Sequence, residues 1–220
     1  MPEPVGKSSQ RYMPGLDGLR AIAVLAVIAY HLEIGFAKGG LLGVGIFFTL
    51  SGYLITDILM EGWVTRRLKL GQFWLARARR LLPALFLMLI VVMAWVTLGD
   101  PGQLKDLRGA ALSSALFTSN WWLIFQDVSY FDRFGPESPL SHFWSLAVEE
   151  QFYLGLSIVV AIAARTRHML RWLTGLLIGV GVFSIISLIV HEDSLVREFF
   201  GTDTRASEIV AGCLVAVAVH

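Results

Sequence analysis

The stretch LLPALFLMLIVVMAWVTL, residues 81–98, decides the fold class because it is almost entirely apolar and carries no charge. A helix needs roughly 20 predominantly apolar residues to cross the hydrocarbon layer of a membrane. Residues 172–190 are likewise uncharged, residues 39–60 contain one charge at Asp57, and residues 143–164 contain two adjacent glutamates. Four such stretches in one chain predict an all-α fold, a polytopic transmembrane helix bundle.

Three further stretches are weaker membrane signals. Residues 21–36 are shorter and are interrupted by His31 and Glu33, and we count them as the first crossing. Residues 109–126 are uncharged but rich in serine, and residues 209–219 are apolar but short. We therefore predict at least five crossings and two incomplete ones.

The orientation follows from the lysines and arginines of the loops, which concentrate on the cytoplasmic side of membrane proteins. Residues 61–80 form a basic loop that we expect to be cytoplasmic, so the N-terminal segment is expected to be cytoplasmic as well. Residues 165–171 carry three arginines and indicate the same side, whereas residues 100–108 and 127–142 look external. These signs agree only if residues 109–126 form a re-entrant or interfacial helix, with their adjacent tryptophans at the headgroup level.

The overall composition supports a multi-pass protein of the plasma (inner) membrane. Hydrophobic residues make up 55% of the chain and charged residues 16%, whereas soluble domains carry roughly a quarter charged residues. The formal net charge of +1 gives no overall attraction to nucleic acid, so we predict none as a partner. The single cysteine, Cys213, excludes an internal disulfide framework, and we predict no metal site.

Arg20 and His31 are polar residues of the first predicted crossing. They are eleven residues apart, close to three helical turns, so both lie on one stripe about 16 Å apart along the axis. We expect His31 near mid-membrane, facing the bundle interior, where a neutral imidazole could act as a general base. A structural histidine bonded to a backbone carbonyl is the alternative.

Glu149 and Glu150 lie inside another predicted crossing. Adjacent residues point about 100° apart on a helix, so we expect only one of the two to face the interior. A buried carboxylate must pair or stay protonated, with Arg20, His31 or a substrate hydroxyl as its partner. If both lie at the external interface, they are merely solvated.

Arg77 and Arg80 are three residues apart and share one face if the segment is helical. Two guanidinium groups could grip a pair of phosphates, although basic residues also flank cytoplasmic helix ends for topological reasons. Pro83 is then expected to open the next helix. The glycine-rich run at residues 39–45 lacks the Gly-Lys-Ser/Thr ending of a phosphate loop and indicates close helix packing instead.

Taken in chain order, six short motifs make the sequence resemble the acyltransferase 3 family, the multi-spanning acyltransferases that modify bacterial surface glycans and some small molecules. The motifs run across residues 11–219 and are LDGLRAIAV (16–24) with Arg20 and His31, FFTLSGYLIT (47–56), RARRLLP (77–83), SNW (119–121), HFWSLAVEEQFY (142–153) and TRASE (204–208) with Gly212.

The resemblance implies transfer of an acyl group, usually acetyl, from acyl-CoA as donor co-substrate to a hydroxyl of a sugar-like acceptor, in a protein that contacts membrane lipid. By motif position, it implies that His31 is the catalytic histidine and Arg20 its functional partner. It also implies that Arg77 and Arg80 meet the CoA phosphates and that Glu149 lines the pore. Whether His31 acts as a base or briefly carries the acyl group stays open at this point.

Two departures from the family pattern bear on these expectations. The family usually has Gly-Val-Asp before its paired phenylalanines, and Gly45 stands here in place of the acid. Its membrane domain has about ten helices, so we interpret residues 1–220 as the N-terminal part of a single membrane-embedded domain, truncated at its C-terminal end. An inactive membrane fragment or scaffold is therefore the main alternative function. A transporter or proton relay is another, but its expected inverted repeat is not visible.

Overall fold

The computed structural model describes residues 13–99, 101–126 and 138–220. The described residues form α-helices and one short 3-10 turn, with no strand among them. The helices are α1 (Pro14–His31), α2 (Leu42–Val64), α3 (Leu70–Gly99), α4 (Leu104–Ala115), α5 (Ser119–Phe125), α6 (Phe143–Ala163), α7 (Met169–Val190), α8 (Leu195–Phe200) and α9 (Thr202–Val219). The prediction of an all-α helical bundle is confirmed. Predictions for residues 1–12 and 127–137 fall outside the described residues.

Within the described ranges, four helices are long and apolar enough to cross a membrane: α2, α3, α6 and α7. They coincide, to within three residues at the N-terminal end of α2 and one at the C-terminal end of α6, with the four strongest stretches of the sequence or include them. Their outer faces are apolar, and on α3 and α7 side chains such as Trp95 and Phe183 are exposed, which suits contact with lipid tails rather than water. The chain is therefore a membrane protein.

The first predicted crossing differs from the structure. α1 covers Pro14–His31 rather than residues 21–36, and it is not among the helices that are apolar enough to cross. Pro14 is tolerated at its first turn because the N–H of that position has no helical acceptor. The helix stops at His31 because Glu33 takes a positive φ of 53°, so Glu33 and the residues after it form turns.

The predicted basic loop at residues 61–80 is mostly helical. α2 continues to Val64 and α3 begins at Leu70, so Arg77 and Arg80 project from the first turns of a 30-residue helix. At 1.5 Å per residue α3 is roughly 45 Å long, longer than the hydrocarbon layer, which leaves room for its basic turns beyond the apolar part. Pro83 lies inside α3 and does not open it, so that prediction is wrong.

Residues 109–126 do not form one helix. α4 ends at Ala115, Phe117 has a φ of +54°, and α5 restarts at Ser119. Leu140 and Phe143, at the start of α6, pack against the second half of α3. That residues 109–126 do not cross the membrane stays a prediction.

Glycines set the closest helix contacts, as the glycine-rich run predicts. A side-chain carbon at Gly43 would lie 2.5 Å from the carbonyl oxygen of Ala23, so only glycine lets α2 approach α1 this closely. α2 also packs extensively against α9. There Gly52 and Gly212 each lie against backbone atoms of the opposite helix, and a side-chain carbon on either would overlap a carbonyl oxygen.

Candidate active site

A cavity of about 660 Å³ opens between α1, the C-terminal half of α2, the first turns of α3 and the N-terminal half of α6. Four of the five predicted site residues line it, although they come from three different helices. They are Arg20, Arg77, Arg80 and Glu149. We call this space the arginine cavity, and its size falls within the ~300–1,000 Å³ range of ligand pockets.

Arg77 forms the buried ion pair of this site. Its Nη2 lies 2.5 Å from Oε1 of Glu150, its Nε donates to the same oxygen at 2.6 Å, and its guanidinium lies 4.3 Å from the ring centroid of Tyr153. Tyr153 is buried, so the cation is enclosed on one side by an aromatic face. Part of the Arg77 charge is thus already neutralised within the protein.

Both adjacent glutamates contact the interior, so the expectation that only one would do so is wrong. Glu150 is buried against Arg77, while Glu149 lines the arginine cavity and accepts a hydrogen bond from Ser51 Oγ at 2.9 Å. The two glutamate side chains do point in different directions, as expected for adjacent residues of a helix. Neighbouring helices, however, lie in both of those directions. Ser51 belongs to the FFTLSGYLIT motif, which is the signal that could have identified it as a site residue.

Arg20 and Arg80 carry the more accessible positive charge of the cavity. Arg20 makes a 3.8 Å contact with Asp17 on its own helix, and its side chain is partly exposed. Among the described residues, no carboxylate lies within ion-pair distance of Arg80, which is exposed. Two accessible cations that line one cavity can bind phosphate groups. The same cavity is also lined by four carboxylates, those of Asp17, Asp57, Glu61 and Glu149.

His31 does not line the arginine cavity. It is the last residue of α1 and is exposed, so the expectation of an interior histidine near mid-membrane is wrong. Its Nδ1 lies 2.7 Å from the carbonyl oxygen of Val27, and because a carbonyl can only accept, Nδ1 carries the proton of the neutral ring. The lone pair is then on Nε2. The His142 ring, which precedes α6, meets His31 edge to face at 5.1 Å.

The bundle thus has two chemically distinct ends. Trp74 Nε1 donates to Ser157 Oγ at 3.3 Å, which places the basic start of α3 beside the second half of α6 and near the arginines of residues 165–171. The His31–His142 contact lies at the other end, where α6 begins. α1 connects the two ends, with Arg20 and His31 about 16 Å apart along its axis.

A buried amide network holds the α4–α5 break to the rest of the bundle. Asn120 donates to the Phe200 carbonyl oxygen at 3.1 Å, and Gln151 donates to Asn120 Oδ1 at 2.9 Å and to the Phe117 carbonyl oxygen at 2.7 Å. Gln151 accepts in turn from Trp121 Nε1 at 2.9 Å and from Thr202 at 2.7 Å. This network gives the SNW motif a structural role, which its sequence spacing could not reveal.

Glu208 occupies the space beside Gly45, the position at which the resemblance leads us to expect an acid. A side-chain carbon built on Gly45 would lie 3.3 Å from Oε1 of Glu208, and the same oxygen accepts from Arg205 at 2.7 Å. Thr49 bridges the two helices here, because its Oγ1 lies 3.0 Å from the carbonyl oxygens of both Gly45 and Glu208, which share its single hydroxyl proton. Glu208, with Arg205 as its partner, is therefore the carboxylate at this point.

Replacing Arg77 with alanine is expected to destabilise the folded protein by roughly 3–5 kcal/mol, because Glu150 would be left buried and unpaired. Thermal unfolding in detergent measures the loss. Arg79→Ala, which changes an exposed arginine two positions away, is the matched control. The double variant Arg77→Met with Glu150→Met should recover most of the stability, and equal melting temperatures for Arg77→Ala and Arg79→Ala would contradict the prediction.

Comparison with known proteins gives a consistent result. The family model described as an acyltransferase domain matches residues 13–219. The chain is 48% identical over 212 residues to the peptidoglycan O-acetyltransferase OatA of Listeria monocytogenes, a match that covers 94% of this chain and 34% of that protein.

Two further relatives show the same coverage. Identity is 46% over 211 residues to the putative peptidoglycan O-acetyltransferase YrhL of Bacillus subtilis, covering 94% of this chain and 33% of that protein. It is 41% over 213 residues to the O-acetyltransferase OatA of Staphylococcus aureus, covering 94% and 35%. The chain therefore spans about a third of the length of these relatives. No solved structure matches.

Proposed function

Because the chain belongs to the acyltransferase 3 family, we propose that it transfers an acetyl group from acetyl-CoA to a hydroxyl of a cell-wall glycan. The arginine cavity carries this proposal, because it brings Arg20, Arg77, Arg80 and Glu149 together from three helices. The names of the relatives, which specify peptidoglycan, support a carbohydrate acceptor. The proposal applies to this chain, which spans about a third of the length of these relatives.

The donor is proposed to enter at the arginine end of the bundle. Arg80 would carry the larger share of phosphate binding, with Arg20 beside it, because Arg77 is already paired with Glu150. The arginines of α3 and of residues 165–171 lie at this end, so the positive-inside rule favours a cytoplasmic location, with the N-terminus on the same side. The pantetheine arm would then extend along α1, past Ser51 and Glu149, towards His31.

The chemical step is proposed to occur at His31. Its Nε2 takes the proton of the acceptor hydroxyl, the hydroxyl oxygen forms an ester bond with the acetyl carbonyl carbon, and the carbon–sulfur bond breaks. The sulfur leaves as the thiolate of CoA and takes up that proton from His31, so the imidazole returns to its neutral state. The hydrogen bond from Nδ1 to Val27 supports this role, because it fixes which nitrogen carries the lone pair.

The direct test is transfer of label from radioactive acetyl-CoA into cell-wall material. Membranes that contain the chain are compared with membranes from cells that carry an empty vector. We expect incorporation that depends on the chain and that is released by mild base, as an ester would be. Equal label in both preparations, with the chain present and folded, would contradict the proposal and favour a scaffold without catalytic activity.

Arg80→Ala is expected to raise the KM for acetyl-CoA by about tenfold, the loss of one phosphate contact of roughly 1–2 kcal/mol. Folding should be unaffected, because Arg80 is exposed. Arg79→Ala removes the neighbouring arginine, which does not line the cavity, and should leave KM unchanged. Identical KM values for the two variants would exclude Arg80 from donor binding.

A further inference from the structure

A second cavity, of about 350 Å³, lies under the α4–α5 break and is lined by α4, α5 and residues 138–141. Its polar lining consists of hydroxyl and amide groups, among them Ser113, Ser114, Ser119 and Gln126. No charged side chain among the described residues lines it, in contrast to the arginine cavity. We call it the serine cavity. Its volume is at the lower end of the ~300–1,000 Å³ range of ligand pockets.

The hydroxyl groups of this cavity are arranged to accept hydrogen bonds. Ser113 and Ser114 both donate to the Ala110 carbonyl oxygen, at 3.0 and 2.7 Å, so their oxygens retain lone pairs for a ligand. Ser119 is 4% exposed, and its Oγ has no hydrogen-bond partner within the described chain. A buried polar atom without a partner is uncommon and calls for a ligand or an ordered water.

An aromatic ring forms another wall of the serine cavity. Trp122 lines it and lies directly against α4 at Gly109, where a side-chain carbon would overlap the ring. Trp122 thus offers an apolar surface next to hydroxyl groups. A sugar ring has the matching chemistry, with C–H groups on its faces and hydroxyl donors at its edge.

The position of the cavity links it to the histidine end of the bundle. Ser141 lines the cavity and is followed by His142, whose ring meets His31 at 5.1 Å. Glu149, in the arginine cavity, is seven residues further along α6 than His142, which corresponds to about 10 Å of helix axis. The serine cavity thus reaches the residue that precedes His142, and the arginine cavity is lined by a residue about two helical turns further along the chain.

We propose that the serine cavity is the binding subsite for the acceptor, a sugar whose hydroxyl is delivered to His31. This assignment adds an acceptor site to the proposed function. It rests on that function for the statement that the bound sugar is the acetyl acceptor. The linings carry the distinction between the cavities. The phosphates of the donor need cations, which line the arginine cavity, whereas the hydroxyl groups and the Trp122 ring of the serine cavity suit a sugar.

Binding of tetra-N-acetylchitotetraose, a neutral oligomer of N-acetylglucosamine, to the purified chain in lipid nanodiscs tests the subsite without acetyl-CoA. We expect saturable binding by the wild type. Ser119→Leu, which fills the cavity and removes the unpartnered hydroxyl, should weaken binding at least about tenfold. Ser145→Leu makes the same change on α6 outside both cavities and should bind as the wild type does.

Ser141→Leu, at the edge of the cavity, is the second variant in case Ser119→Leu does not fold, and acetyl-CoA binding serves as the folding control for both. Absence of binding by the wild type, or wild-type affinity in both variants, would overturn the subsite. Sugar binding without acetyl transfer would refute the proposed function and retain the subsite. Acetyl transfer with an unchanged acceptor KM in both variants would refute the subsite and retain the proposed function.

Discussion

Replacing His31 with alanine is expected to lower acetyl transfer by about 10²–10⁴-fold, the usual contribution of a positioned general base. The amount of folded protein should not change, because His31 is exposed at the end of α1 and fills no core position. The measurement is the initial rate of label transfer from acetyl-CoA, normalised to the amount of chain in the membrane. A rate within twofold of the wild type would remove His31 from the mechanism.

Two further histidine variants make this result specific. His168→Ala changes an exposed histidine at the opposite end of the bundle and should leave the rate unchanged. His142→Phe keeps an aromatic ring against His31 but removes its nitrogens, so a wild-type rate would assign His142 to packing alone. Label retained on the wild-type chain without acceptor, and absent from His31→Ala, would indicate that His31 carries the acetyl group rather than acting only as a base.

The membrane helices could be predicted because long uncharged stretches leave few alternatives to a spanning helix. The uncharged stretches did not predict where the helices end, because polar residues continue a helix beyond its apolar part. The charge of residues 70–80 predicts a cytoplasmic loop, yet these residues form the first turns of α3. α1 also begins earlier than expected, since Pro14 favours a helix start and hydropathy does not register it.

The identities of the site residues could be predicted from the sequence more readily than the contacts between them. Arg20, Arg77, Arg80 and Glu149 were identified by charge inside an apolar chain and by the family resemblance, and the fold places them around one cavity. The pairing of Arg77 with Glu150 was not identified. These residues are 73 positions apart, so only the packing of α3 against α6 determines which of two adjacent glutamates meets the arginine.

Neutral polar contacts were the least predictable part of the fold. Asn120 and Gln151 are 31 positions apart and Asn120 and Thr202 are 82 apart, and no charge or periodicity marks them as partners. Each is a short polar side chain whose buried hydrogen bonds depend on the break between α4 and α5. The resemblance singled out Asn120 without indicating what it contacts, which required the positions of α6 and α9.

Replacing Gly212 with alanine is expected to reduce the folded protein sharply, at a cost of about 1–3 kcal/mol or more for overpacking. A side-chain carbon there would overlap the Thr49 carbonyl oxygen, a backbone atom of α2 that cannot rotate away. Gly52→Ala should have a similar effect, because its side-chain carbon would overlap the Ile209 carbonyl oxygen from the other side of the same contact. Melting temperatures of the purified variants in detergent give the measurement.

Gly155→Ala is the matched control for this prediction, because nothing lies within 4 Å of a side-chain carbon at Gly155 on α6. Alanine has the higher helix propensity, so this variant should be as stable as the wild type or more so, by up to about 1 kcal/mol. Equal melting temperatures for Gly212→Ala and Gly155→Ala would contradict the close α2–α9 contact. Because that contact also places Glu208 beside Gly45, any Gly212→Ala protein that still folds is expected to lose the 3.0 Å hydrogen bond from Thr49 to the Glu208 carbonyl oxygen.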